Sequence, residues 1–116
     1  MIAVIFEVEP HEQGHAAYLS LAAALRAELE TIDGFLSIER FESLSQPGKL
    51  LSLSFWRDEA AIAAWRQLES HRQAQAAGRQ RLFAHYRLRV AQVLRDYGAI
   101  ERDEAPADSR RAHESA

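Results

Sequence analysis

Apolar residues in the first third of the chain follow two different periods. Residues 2–8 are almost continuously apolar and rich in β-branched side chains up to Pro10, which predicts a strand with both faces buried. From about His11 to Thr31 the large apolar residues recur three and four positions apart, which predicts an amphipathic helix closed by Asp33-Gly34. The members of this stripe are Tyr18, Leu21, Leu25 and Leu29. The chain therefore opens with a strand and a helix.

An alternating pattern occupies the middle of the chain. Residues 35–43 and 49–56 each alternate between two faces, and turn-forming residues at 45–48 separate them, which predicts a β-hairpin. Asp58 can then cap an alanine-rich segment that favours a helix, and helical character extends to Gln80 with a break near Ser70. A second helix therefore follows the hairpin.

The last part of the chain combines a strand pattern with a charged end. Residues 83–97 have strand-like content, and a change of phase predicts a bulge near Ala91-Gln92. Residues 101–116 contain no aromatic side chain and no aliphatic side chain larger than Ala. These observations predict a folded domain over residues 1–100 and a flexible charged tail over residues 101–116.

The predicted order of elements is β-α-β-β-α-β, which is typical of the ferredoxin-like arrangement in the α+β class. This arrangement is an antiparallel four-stranded sheet with two helices on one face. The first strand is apolar on both faces, so the face without helices also needs a cover. Since a body of about 100 residues buries only about 60–65% of its unfolded surface, a second copy is the simplest cover. A homodimer is therefore expected.

Composition excludes several classes of protein. The 116 residues include no cysteine, which excludes disulfides, thiolate nucleophiles, iron–sulfur clusters and zinc sites with sulfur ligands. The formal net charge is −3 and no stretch concentrates basic residues, which argues against a nucleic-acid partner. No apolar run reaches 18 residues, and residues 1–10 lack a basic leader. No membrane association is predicted, and the cytoplasm is the expected compartment.

One short motif suggests zinc. His11-Glu12-Gln13-Gly14-His15 matches H-E-x-x-H, in which two histidines ligate the metal and the glutamate acts as a base. The motif lies at a junction between strand and helix, contains Gly14, and has no evident third ligand. We therefore predict no metal.

The second helix carries a candidate binding residue with two interpretations. Trp65 lies on the apolar side of this helix, where its indole could stack on a flat ligand or fill the core. His71 lies six residues further on, so it could border the same pocket, and its ordinary pKa suits proton transfer. His71 could equally be an exposed residue of a polar run.

The last strand has a basic face formed by His85, Arg87 and Arg89. These side chains could bind an anionic or phenolate ligand. They could also be edge charges that discourage aggregation, or form ion pairs across a dimer.

Several collinear segments within residues 1–98 resemble the antibiotic biosynthesis monooxygenase family. Besides the opening strand and Gly34-Phe35, they are Ser54-Phe55-Trp56-Arg57-Asp58-Glu59-Ala60, Ala64-Trp65-Arg66, His71-Arg72-Gln73-Ala74-Gln75, Gly78-Arg79 and Tyr86-Arg87-Leu88-Arg89-Val90. The resemblance implies a dimeric α+β barrel in which two ferredoxin-like sheets close against each other. It also implies, from some members, oxidation of polycyclic aromatic phenols by O2 without metal or flavin.

The resemblance assigns roles to positions on the second helix. Trp65 matches the pocket tryptophan of the family. Ala61 stands where the best-known oxygenases have an asparagine, and His71 stands where they have a tyrosine, so a hydrogen-bonding group is kept only at the second position. A haem-degrading branch uses a histidine and an asparagine where this chain has Gln75 and Glu7, which disfavours haem binding.

These arguments lead to one main expectation and one alternative. The main expectation is a homodimeric, cofactor-independent monooxygenase that uses O2 on a flat aromatic or quinol-type molecule. Trp65 would stack on it, His71 would take a phenolic proton, and Arg87 or His85 would stabilise negative charge. The predicted pocket walls are Phe6, Phe35, Phe55 and Ile62. The alternative is a non-catalytic module of the same fold that binds a small molecule or another protein.

Overall fold

The computed structural model describes residues 1–75 and 82–115, and it describes residues 69–75 and 113–115 through their backbone alone. Its elements are, in chain order, β1 (Ile2–Pro10), α1 (His15–Leu29), β2 (Phe35–Glu42), β3 (Leu50–Trp56), α2 (Glu59–Gln75), β4 (Phe83–Gln92) and α3 (Ala107–Ser115). Within the described ranges, no helix is long and apolar enough to cross a membrane.

The strands form one four-stranded sheet in the order β2-β3-β1-β4. β1 lies in the interior of the sheet, where Ile2 is opposite both Trp56 of β3 and Gln92 of β4. Each pair of neighbouring strands is antiparallel. The predicted ferredoxin-like α+β fold is confirmed.

The two faces of the sheet have different covers. Even-numbered residues of β1 face the helices and pack into two buried clusters. One cluster contains Leu29, Trp56, Ala61 and Ile62, and the other contains Val8, Tyr18 and Leu50. Because side chains alternate along a strand, the odd-numbered residues of β1 and Leu51, Leu53 and Phe55 of β3 lie on the opposite face, which we call the open face.

Several predicted boundaries were wrong. β4 ends at Gln92 rather than Tyr97, and its pairing with β1 is regular at Ala91 and Gln92, where a bulge was predicted. The irregularity lies at the other end of the pair, between Glu9 and Pro10. α1 starts at His15 rather than about His11, because the chain first forms a 3-10 turn over Glu12–Gly14.

The segment beyond β4 contains a helix that the sequence analysis does not predict. The Val93 N–H donates to the Met1 carbonyl at 3.0 Å, and the chain then leaves the sheet. α3 follows after a further irregular segment. Its residues carry charge rather than large apolar groups, so hydrophobic periodicity gives no signal for it.

Candidate functional site

Trp65 lies on the side of α2 that faces the sheet. It is half-buried and packs against the cluster of Leu29, Trp56, Ala61 and Ile62. Phe35 borders the same cluster, with its ring edge-on to Trp56 at a centroid distance of 5.2 Å. Of the predicted pocket walls, Phe35 and Ile62 therefore belong with Trp65.

A polar cluster fixes where α2 begins. The Asp58 Oδ1 accepts a hydrogen bond from the Ala61 N–H at 3.0 Å, which is the helix cap expected from the sequence. Arg57 donates to both carboxylate oxygens of Asp33 at 3.1 and 3.2 Å, and its Nε donates to Asp58 Oδ2 at 3.1 Å. This cluster ties the turn after α1 to the first turn of α2, and so positions Trp65 two turns later.

The cluster also changes the acidity of its members. Hydrogen bonds and charge attraction from Arg57 hold the pKa of Asp33 below its ordinary value. The hydrogen bond from the Ala61 N–H, reinforced by Arg57, lowers the pKa of Asp58. Both carboxylates are exposed, so these shifts describe a positioning role at the surface.

Gly34 allows the close approach of these two segments. Its φ of +93° lies in the left-handed region that favours glycine. A Cβ at Gly34 would lie 2.7 Å from the Ala61 Cβ, a distance at which one of the groups must move. The Gly34 carbonyl also accepts a hydrogen bond of 2.7 Å from the Arg57 N–H.

A second aromatic group lies on the same face of the sheet, nearer β4. Phe6 and Tyr86 each lie about 6 Å from Phe83, with centroid distances of 6.0 and 6.1 Å, and Tyr18 lies 5.5 Å from Phe83. Phe6, a predicted pocket wall, belongs to this group rather than to the Trp65 cluster. The sequence analysis does not name Phe83 or Tyr18 as site residues, although the pairing of β1 with β4 brings them together.

The other predicted site residues lie elsewhere. Phe55 is on the open face, because its neighbours Ser54 and Trp56 are buried beneath the helices. His85 and Arg87 also lie on the open face, opposite Glu9 and Glu7 of β1. The sheet therefore separates these three residues from Trp65. His71 lies in α2, and its side chain is outside the described part of the chain.

The basic face borders a cavity of about 240 Å³. Its lining is mixed in charge, since it includes Glu7, Glu9, Lys49, His85 and Arg87. Arg89, next along the same face, forms an ion pair of 3.1 Å with Glu7. Positive groups on this face are thus partly balanced by carboxylates of β1.

A larger cavity of about 440 Å³ lies along the edge strand β2. Its lining comprises Arg26, Ser37, Ile38, Glu39, Arg40, Leu53 and Phe55. Ile38 also borders the Trp65 cluster, but no other residue of that cluster lines the cavity. The Arg40 Nε is buried with no hydrogen-bond partner among the described residues, which marks an unsatisfied donor beside the cavity.

Among the described residues, no group of three or more His, Cys, Asp or Glu side chains could hold a metal ion. In the H-E-x-x-H segment, His11 precedes the 3-10 turn and His15 is the first residue of α1.

Comparison with known proteins gives three kinds of match. The family model for antibiotic biosynthesis monooxygenase matches residues 1–77. A protein of Pyricularia oryzae named jasmonate monooxygenase is 50% identical over 93 residues, which cover 80% of this chain. The chain spans 43% of that relative's length.

Solved structures match at lower identity. One is a candidate antibiotic biosynthesis monooxygenase from Deinococcus radiodurans, with a TM-score of 0.71 at 19% identity over 84% of this chain and 97% of that one. A Mycobacterium tuberculosis protein gives a TM-score of 0.71 at 22% identity over 84% of this chain and 98% of that one. These two similarities describe the fold.

Proposed function

The chain belongs to the antibiotic biosynthesis monooxygenase family, and from that premise we propose that it is a monooxygenase acting on a small, largely apolar molecule. The observation that carries the proposal is the 50% identity to a jasmonate monooxygenase over 80% of the chain. The half-buried Trp65, beside Phe35 and Ile62, supplies an aromatic and apolar surface for such a molecule.

Two substrate classes follow from different observations. The similarity to a jasmonate monooxygenase favours a cyclic keto acid with an apolar tail. The resemblance of Trp65 to the family's pocket tryptophan favours a flat aromatic or quinol-type molecule, on which an indole can stack. In either case Trp65 contacts the ring, and His71 is the proposed proton acceptor.

The two classes differ in their electron balance. Oxidation of an anthrone CH2 group to C=O uses one O2 and releases one water, and the substrate supplies all the electrons. We propose this route without metal or flavin for the aromatic class. Hydroxylation of an aliphatic C–H group also releases water from O2, but it needs two further electrons from a reductant. Reductant dependence therefore distinguishes the classes.

We also propose that the protein works as a homodimer, since the family is generally dimeric. The open face carries Ile5, Leu51, Leu53 and Phe55, an apolar area that a second copy would cover. His85 and Arg87 lie on this face, which supports ion pairs across the dimer. For either residue to stabilise charge on a ligand, the ligand would have to bind on the open face.

Oxygen uptake tests the proposal, and it is measured both with metal-free, flavin-free protein and with protein as purified, because hydroxylation of an aliphatic C–H group by O2 and a nicotinamide also needs a redox cofactor. Anthrones, quinols and jasmonate are each supplied with and without a nicotinamide reductant, alongside Trp65→Phe, His71→Ala and the surface control Leu44→Ser. We expect uptake above the buffer rate, reduced in the first two variants and unchanged in the control. If O2 uptake were instead lost in His85→Ala or Arg87→Ala, we would place the site on the open face.

A result with binding but no uptake would favour the non-catalytic alternative. In that case a ligand would raise the melting temperature of the protein, and Trp65→Phe would remove that shift, while O2 consumption stayed at the buffer rate for every compound.

A further inference from the structure

The cavity along the edge strand β2 lies apart from the Trp65 cluster, with which it shares only Ile38. Arg40 is opposite the buried Ser52 of β3, so Arg40 and Ile38 lie on the helix side of the sheet. The lining residues on the open face are Ser37, Glu39, Leu53 and Phe55. The cavity therefore lies around the outer edge of β2, and Arg26 of α1 completes its lining.

Arg40 brings an unpaired positive charge to this cavity. Its Nε atom is buried, and its guanidinium forms no hydrogen bond or ion pair with the described residues. A buried donor of a charged group that lacks a partner lowers the stability of the fold, and a negatively charged group within reach would offset that loss. The chemistry at Arg40 therefore points to an anion.

Arg26 supplies a second positive group. Its Nε lies 3.6 Å from the Glu30 carboxylate, and the two side chains are 57% and 62% exposed. An exposed pair at this helical spacing contributes little to stability, because water screens the charges. Arg26 can therefore turn from Glu30 to a ligand in the cavity with little loss of stability.

The rest of the lining restricts the class of ligand. Ile38, Leu53 and Phe55 provide apolar walls, and the volume of about 440 Å³ lies in the roughly 300–1,000 Å³ range of small-molecule sites. Glu39 also lines the cavity, and its carboxylate would repel a second negative charge on a ligand. The lining therefore favours a molecule with one negative charge and an apolar body over a polyanion.

We propose that this cavity binds a small organic monocarboxylate, at a site separate from that of Trp65. The Arg40 guanidinium holds the carboxylate, because its planar fork matches the two carboxylate oxygens. Arg26 adds a second donor, and the apolar body of the ligand lies against Leu53 and Phe55. Because the cavity is at the edge of the sheet, a second copy on the open face would border the bound ligand.

An NMR titration of the nitrogen-15-labelled full chain with phenylacetate tests both binding and its location. We expect the backbone amide signals of residues 37–40 to shift and to give the Kd, while the Trp65 indole N–H signal does not follow the same curve. Phenylacetamide has the same apolar body without the charge, and it should bind at least about tenfold more weakly. Inorganic phosphate at pH 8 should also bind more weakly, because it carries a second charge. An equal Kd for phenylacetate and phenylacetamide, or a shift at Trp65 alone, overturns the proposal.

Substitutions of the charged residues assign their roles. Arg40→Met should raise the Kd for phenylacetate at least about tenfold, and Arg40→Lys, which keeps the charge but not the fork, should raise it less. Arg26→Met should raise it about two- to threefold, and Glu39→Gln should lower it. The matched control is Arg95→Met, an exposed arginine beyond β4, which should leave the Kd unchanged. Sedimentation confirms that every variant has the mass of wild type at the concentration used. An unchanged Kd in Arg40→Met overturns the proposal.

A purely structural role for Arg40 predicts a different change in stability. Because the Arg40 Nε is buried without a partner, we expect Arg40→Met to keep or raise the melting temperature while it weakens binding. A lower melting temperature in this variant would make Arg40 a structural residue and overturn the proposal. Neither measurement involves O2, so a failure of the proposed function would leave these results unchanged.

Discussion

The two ends of the sheet differ in how far the helices cover them, although apolar side chains lie on the helix side of the strands at both ends. On the β2-β3 end, Trp56 is 2% exposed beneath α2 and is joined by Ile62 and Phe35. On the β4 end, Tyr86 lies on the same side of the sheet and is 67% exposed. Strand alternation determines which side chains share a face, but it does not determine whether this chain covers that face. The contrast shows that the helices cover the β2-β3 end of the sheet and leave the helix side of β4 exposed.

The largest expected effect is on the free energy of unfolding, and we expect it to differ between an aromatic residue at one end of the sheet and an aromatic residue at the other. Trp56→Ala should lower the free energy of unfolding by about 3–5 kcal/mol, because it removes a buried ring and leaves a cavity. It also removes the donor of the 3.0 Å hydrogen bond to Ser54 Oγ. Tyr86→Ala should change stability by about 0.5 kcal/mol or less at concentrations below the dimer Kd. Urea titration of both variants checks this, and equal losses would remove the distinction between the ends.

A glycine pair tests how tightly the β2-β3 end is packed. Gly34 and Gly48 both have positive φ, at 93° and 86°, but a Cβ at Gly48 has no neighbour within 4 Å. Gly48→Ala should therefore lower the free energy of unfolding by about 1–2 kcal/mol through backbone strain alone. Gly34→Ala should cost about 1–3 kcal/mol more, because its Cβ would collide with the Ala61 Cβ.

The control for this steric explanation is a double variant. Ala61→Gly removes the atom that Gly34→Ala would meet, so the two changes together should cost less than the sum of their separate effects. A strictly additive result in denaturant titrations would argue that backbone strain, rather than the contact with α2, limits Gly34.

The local signals of the fold were readable from the sequence. The Asp58 cap, the hairpin turn and the stripe of α1 depend on residues close together in the chain, and the structure contains each of them. The end of β4 was not readable, because Val93, Leu94 and Tyr97 continue an apolar pattern beyond the last paired residue.

The site was harder to predict because hydrophobicity indicates the wrong face of β3. Leu51, Leu53 and Phe55 form its apolar face, which led to Phe55 as a pocket wall. The helices instead cover the face of Ser52 and Ser54, which are 7% and 5% exposed. Ser54 is accommodated there because its hydroxyl accepts the Trp56 indole N–H. Only the register between strands, which no single segment encodes, reveals this.

Acid should weaken the anchoring of α2. The pKa of Asp58 in the folded protein lies below its ordinary value of 3.8, so its contribution is present above that pH. The contribution is lost as the pH falls through the lowered pKa. Asp58→Ala should therefore reduce the melting temperature at pH 7, by less than Gly34→Ala does, and the difference from wild type should shrink toward pH 3. A constant difference from pH 7 to 3 would contradict this account.

The smallest effect concerns the ion pair between Glu7 and Arg89, and it sharpens the contrast between the two ends. The two side chains are 35% and 52% exposed and 3.1 Å apart, so their coupling in the single chain should be about 0–1 kcal/mol and should fall with added salt. A double-mutant cycle with Glu7→Gln and Arg89→Met measures it. If a second copy covers the open face, coupling measured above the dimer Kd should exceed that measured below it and depend less on salt, because burial removes solvent screening. Equal coupling at both concentrations would show that this part of the open face stays in water.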